Sequence, residues 1–157
     1  HETPRRFQGG RYDAFLRRTE SLQGTLAIYR ARCILGEVKP LKIYTYSKCS
    51  TCRKATKWLE AQGIAFEEHA IRESPPKATE LRTMLKAYDG ELRRLFNTSG
   101  GDYREQKLGP KLPTMSPKDA IAMLTENGNL VKRPFVLGGD VALVGFSEPL
   151  WQESICR

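Results

Sequence analysis

The stretch KIYTYSKCSTCRKA, residues 42–55, runs from a β-prone segment into the start of an amphipathic helix and carries Cys49 and Cys52 across the junction. Leu41, Ile43, Tyr44 and Tyr46 suit a strand, and Lys39-Pro40 marks its boundary. From Ser50 onward Ala55, Trp58 and Leu59 recur at helical spacing opposite Lys54, Lys57 and Glu60, and Gly63 supplies a C-cap. A cysteine at that helix start meets unpaired N–H groups and the positive end of the helix dipole, with Lys48, Arg53 and Lys54 adding positive charge. Its pKa should fall, and the thiolate is the species that attacks. Two residues between the cysteines let the second sulfur reach the first, so a mixed disulfide formed at Cys49 can be resolved by Cys52.

Downstream, residues 64–70 (IAFEEHA) alternate as a second strand, and Leu81, Met84, Leu85 and Tyr88 mark a second helix that runs to Gly90. Leu92 to Phe96 reads as a short helix, and Asn97 to Gly101 as a polar loop whose N–H groups could meet an anion. Ser116-Pro117 gives an N-cap and a proline at N1 for a further helix, with Gly128 past its end. Phe135 to Leu137, the turn Gly138-Gly139-Asp140, and Val141 to Val144 form a β-hairpin, and Glu148 to Ser154 a closing helical turn or two. This order predicts an α/β, thioredoxin-like (glutaredoxin-like) fold with a helical insertion between the βαβ unit and the C-terminal hairpin. Trp58, Leu59, Phe66, Met84, Leu85, Phe135 and Val136 read as core, and His69 as a surface residue.

The chain has 157 residues, 39% hydrophobic and 28% charged, enough for one domain without disulfide staples. No apolar run is long enough to span a bilayer. The net charge is +8, of which residues 1–40, with eight Lys and Arg against four Asp and Glu, hold half. Residues 41–157 are therefore only mildly basic, and no direct nucleic-acid binding is expected. Residues 1–40 read as a basic, poorly ordered extension, residues 41–157 as the domain, and the protein as a monomer. Besides the close pair, Cys33 and Cys156 are isolated, which suits a reducing cytoplasm better than a secreted disulfide scaffold. A zinc site would need two further ligands, and only His1, His69, Cys33 and Cys156 are on offer, so no metal is expected.

Five motifs, KIYTYSKCSTCRKA at 42–55, LFNTSGGDYRE at 95–105, the helix start near Pro117, VKRPFVL at 131–137 and VGFSEPLW at 144–151, make Leu41 to Ser154 resemble the arsenate reductase (ArsC/Spx) family, and most closely its CxxC-bearing, Spx-like branch. The resemblance implies that Cys49 is the nucleophile and Arg133 an oxyanion-binding arginine, with Pro134 a cis-proline facing the cysteine. It implies no metal or organic cofactor, with glutathione, glutaredoxin or thioredoxin as reductant. Cys52 departs from the arsenate reductases, which have no resolving thiol there, as do Asn97 and Phe146, where two further arginines would align. One fixed cation should hold a doubly charged oxyanion poorly. The reading is thus thiol-disulfide exchange through Cys49, Cys52 and Arg133, with Pro134, Asn97, Ser50 and Arg53 as substrate-contacting residues. The alternatives are arsenate reduction and a redox-sensing transcription regulator that binds the RNA polymerase α subunit.

Overall fold

The computed structural model describes residues 39–156; the expectations for the extension and for Cys33 lie outside the described residues. Strand β1 (Leu41–Thr45) is followed by helix α1 (Ser50–Gln62), strand β2 (Phe66–Ala70) and helix α2 (Ala78–Ala87). A 3-10 turn at Leu92–Leu95 leads to short helices α3 (Gly101–Glu105) and α4 (Leu108–Lys111), and a second 3-10 turn (Leu112–Thr114) to helix α5 (Pro117–Glu126). A third 3-10 turn (Gly128–Leu130) enters the hairpin β3 (Phe135–Gly138) and β4 (Val141–Val144), and helix α6 (Glu148–Ile155) ends the domain. The sheet order is β2-β1-β3-β4, with β2 parallel to β1 and the other neighbours antiparallel. This is the thioredoxin-like arrangement, with α2 to α5 in the place expected for the insertion.

Side-chain alternation sorts the sheet into two buried faces. Leu41, Ile43, Val136 and Leu143 pack against Ala55, Trp58 and Leu59 of α1 and Trp151 and Ile155 of α6. Tyr44, Phe135 and Leu137 point the other way, onto Leu81, Met84 and Leu85 of α2 and Ala120, Ile121 and Leu124 of α5. All seven expected core residues are buried. Each large apolar side chain so enclosed contributes about 1.5–3 kcal/mol. Trp151 also donates its indole N–H to the Gly145 carbonyl at 3.1 Å, so Trp151→Ala would lose packing and a bond together.

The second strand begins at Phe66 and not at Ile64, because Ile64 is still spent on the helix: its N–H donates to Leu59 O at 3.0 Å past Gly63, whose φ of 68° closes the C-cap. Helices α3 and α4 have no counterpart in the expected pattern. At five and four residues, separated by Lys107 at φ 51°, they are too short for an apolar repeat to show. Ser116 accepts the Asp119 N–H at 3.1 Å as the expected N-cap of α5. Gly128 has a different task from ending that helix. A Cβ there would lie 1.8 Å from Ile71 O, so only glycine lets the chain pass the end of β2. His69 is not a surface residue: its side chain is 16% exposed and its ring stacks on Tyr44 with centroids 5.1 Å apart.

Lys42 and Tyr44 face α2, where Glu80 accepts from Lys42 Nζ and the Tyr44 hydroxyl, both at 2.7 Å, and from the Lys77 N–H at 2.9 Å. Burial raises the pKa of Glu80, but these three donors outweigh it and hold the carboxyl below its usual range. The same arrangement, burial first and Glu80 second, pushes Tyr44 well above the usual phenol range. This cluster fastens α2 to the central strand.

Candidate active site

β1 ends at Thr45, and the chain turns through Tyr46 to Cys49, whose N–H donates to Tyr46 O at 3.0 Å. Cys49 is the N-cap of α1, with extended backbone at φ −87° and ψ 113°, and its sulfur accepts the Cys52 N–H at 3.3 Å. A sulfur thus stands where helices usually place a serine or aspartate oxygen. The first turn of α1 carries no acidic residue to compete for the exposed N–H groups. Cys49 is half-buried, whereas Cys52, one turn on, is 2% exposed.

The two thiols differ in proton affinity. Burial is the strongest single influence on Cys49 and opposes ionisation, yet hydrogen bonds from the Cys52 thiol, the Cys52 N–H and Arg133, with the charge of Arg133, outweigh it and hold the pKa below the ordinary thiol range. Burial, then the bond it gives Cys49, pushes Cys52 up to about 12. Cys49 therefore ionises first while Cys52 keeps the shared proton.

Arg133 and Pro134 reach this point from across the sheet. Tyr44 pairs with Phe135 in the antiparallel β1–β3 ladder, and continuing that register sets Arg133 opposite Tyr46. The Arg133-Pro134 peptide is cis, and the Arg133 guanidinium carbon lies 4.9 Å from the Tyr46 ring centroid. A second cation, which the sequence reading did not single out, sits on the same ring. Arg72 has its guanidinium carbon 4.9 Å from the Tyr46 centroid and donates from Nη1 to the Tyr46 hydroxyl at 3.0 Å. It arrives through the parallel ladder, which Ile71 extends by donating its N–H to Thr45 O at 2.9 Å. Arg72 thus joins Arg133 on the Tyr46 ring, and only the register of β2 against β1 reveals it.

The other expected contact residues are less central. Arg53 turns back and donates to Ser47 O at 3.1 Å, steadying the turn before Cys49. Ser50 is the exposed first residue of α1. Asn97 is committed to its own loop: its N–H donates to Leu130 O at 2.7 Å and its side-chain amide to Asn129 O at 3.4 Å, and Gly100 lies so close that a Cβ there would be 2.7 Å from Asn97 Nδ2. Phe146 packs against Trp151 and Trp58, at centroid distances of 4.9 and 6.4 Å, and brings no charge to the cysteines. Among the described residues, no helix is long and apolar enough to cross a membrane.

Comparison with known proteins finds relatives over most of the chain. Residues 44–154 match the model of the ArsC family. The chain is 42% identical over 114 residues to the uncharacterized protein YusI of Bacillus subtilis (strain 168), covering 73% of this chain and 97% of that one. It is 30% identical over 108 residues to the global transcriptional regulator Spx of Streptococcus agalactiae serotype V, covering 69% and 77%. The crystal structure of an ArsC family related protein from Bacteroides fragilis is similar with a TM-score of 0.68 and 39% identity, covering 73% of this chain and 98% of that one.

Proposed function

This chain belongs to the ArsC family, and we propose that within it the protein is a dithiol redox protein that exchanges thiols and disulfides through Cys49 and Cys52. The observation that carries the reading is the unequal pair itself: a part-exposed sulfur at the N-cap of α1, accepting the Cys52 N–H, beside a buried thiol one turn later. In the first step the Cys49 thiolate attacks one sulfur of a disulfide, forming a Cys49 mixed disulfide and releasing the other half as a thiolate. Cys52 then gives up its proton to that leaving group or to water and attacks the Cys49 sulfur. The Cys49–Cys52 disulfide forms and the second thiol departs, so the protein is oxidised by two electrons and the substrate disulfide reduced. Arg133 and the helix start stabilise the thiolate that begins the cycle, while Pro134 sets the backbone facing it. A cytoplasmic thiol reductant, glutathione, glutaredoxin or thioredoxin, would reset the pair.

A second reading draws on the likeness to a protein named as a global transcriptional regulator. In that role the same couple would be a sensor, altering affinity for a partner such as the RNA polymerase α subunit without turnover. Arsenate reduction draws less support, since Asn97 and Phe146 bring no charge where the family resemblance aligns arginines. The test is the pH dependence of Cys49 alkylation in wild type and Cys52→Ser, repeated with arsenate present, followed by turnover of a disulfide with excess reductant. A midpoint below the ordinary thiol range, no protection by arsenate and multiple turnovers are expected. A single oxidation without turnover would favour the sensor, protection by arsenate the reductase, and an ordinary midpoint would remove the redox reading.

A further inference from the structure

Arg72 has no part in the exchange steps, yet its charge is held close to them. Its guanidinium and that of Arg133 each lie 4.9 Å from the Tyr46 centroid, so the two cationic carbons are within twice that distance of each other. Tyr46 is in turn bonded through its carbonyl to the Cys49 N–H. Two like charges gathered on one ring repel, and the ring's negative face offsets only part of that. Asp102 is close enough to feel Arg72, but its carboxylate accepts from Asn127 Nδ2 at 2.8 Å and Asn129 Nδ2 at 3.2 Å and makes no ion pair with it. Arg72 is exposed, and the Tyr46 hydroxyl uses one of the five N–H donors that a guanidinium carries. Both guanidiniums are thus fixed on the residue whose carbonyl receives the Cys49 N–H, and a guanidinium fork suits a carboxylate.

Building on the dithiol reading above, we propose that Arg72, with Arg133, forms a carboxylate subsite on Tyr46 that selects thiols and disulfides bearing an acidic group close to the reacting sulfur. Arg72 is a specificity residue there and leaves the sulfur chemistry to Cys49. The carboxylate could belong to a small acidic thiol or to an acidic loop of a protein, since both present the same group.

The test is the single-turnover rate of the full reduced chain with two chromogenic disulfides, dianionic dithiobis(nitrobenzoate) and dithiodipyridine, which is neutral at pH 7. Arg72→Gln should slow the dianionic probe about tenfold and leave the neutral one within about twofold, and Arg72→Lys should recover part of the loss. The neutral probe also reports that the variant is folded. Equal slowing of both probes, or of neither, overturns the subsite while leaving the dithiol reading intact. If the wild type reacts with the neutral probe no faster than an unperturbed thiol, that reading falls and the subsite with it. Oxidised glutathione and a peptide disulfide with glutamates beside its cysteine, each compared with its carboxamide form, then separate the sources. Discrimination on glutathione assigns a small thiol, discrimination on the peptide alone an acidic protein loop, and discrimination on neither overturns the proposal.

Discussion

At Glu80 a carboxylate takes hydrogen bonds from Lys42, Tyr44 and the Lys77 N–H, and at Cys49 the bonds from Cys52 and Arg133 favour the thiolate. Glu80 is tied from α2 to strand β1, Cys49 ends the turn that leaves that strand, and in both burial resists the charge while nearby donors prevail. They differ in how completely they are enclosed. The Glu80 side chain is 16% exposed, with three donors at 2.7 to 2.9 Å. Cys49 is half-buried, and its sulfur takes the Cys52 N–H at 3.3 Å. An anion whose acceptor positions are filled is a fastening; one left reachable, on a more polarisable atom, suits the nucleophile proposed above. The same physical device serves stability on one side of β1 and the proposed reactivity at the end of that strand.

The sharpest break in that comparison is Cys49→Ser. Serine is itself a favoured N-cap, so stability should change by less than about 1 kcal/mol, while thiol-disulfide exchange falls to background; chemical denaturation and a disulfide reduction assay check the two halves. Next in size, Glu80→Ala should cost about 2–3 kcal/mol, because Lys42 and the Tyr44 hydroxyl lose their partner. The alkylation rate of Cys49 in the folded protein should not follow, and a parallel loss would show that the two centres are coupled. Smaller again, Arg133→Met removes one of several influences on the thiolate. It should move the alkylation midpoint upward and slow alkylation at pH 7 about threefold to tenfold, with little change in denaturation.

The acid limb separates the centres most gently. Glu80 has a folded pKa below its unfolded value, so its stabilisation is complete above the ordinary carboxylate range and is lost as pH falls through the depressed folded value. Wild type should therefore lose more stability than Glu80→Gln between about pH 5 and pH 3, measured by urea midpoints. Parallel curves would mean that Glu80 is not held as an anion.

Arg133-Pro134 entered through the family resemblance, whereas the cysteine pair stood out in the sequence because it depends on local signals, helix spacing and a start position. The strands and longer helices were legible for the same reason. What escaped was non-local. Arg72 acquires its meaning only when β2 lies parallel to β1 and brings the residue after Ile71 to Tyr46. Gly128 looked like a helix stop because glycine often is one, and its contact with Ile71 spans about half of the domain in sequence. His69, on an alternating strand, gave no sign that Tyr44 would cover it. Asn97 reads in the sequence as a substrate contact, while its side-chain amide donates to Asn129 O.

The contact at Gly128 also sets a rule of assembly. The insertion leaves the sheet after Ala70 and must return to β3 flush against Ile71, with no room for a methyl group between the two backbones. That contact works as a datum surface: helices between residues 78 and 126 could be lengthened, shortened or exchanged, as modules are, provided that the rebuilt chain comes back to the same plane with glycine at the joint. A replacement that returned even slightly proud of it would displace the Ile71-Arg72 corner, and the error would be delivered to Tyr46 although no residue at the cysteines had been altered.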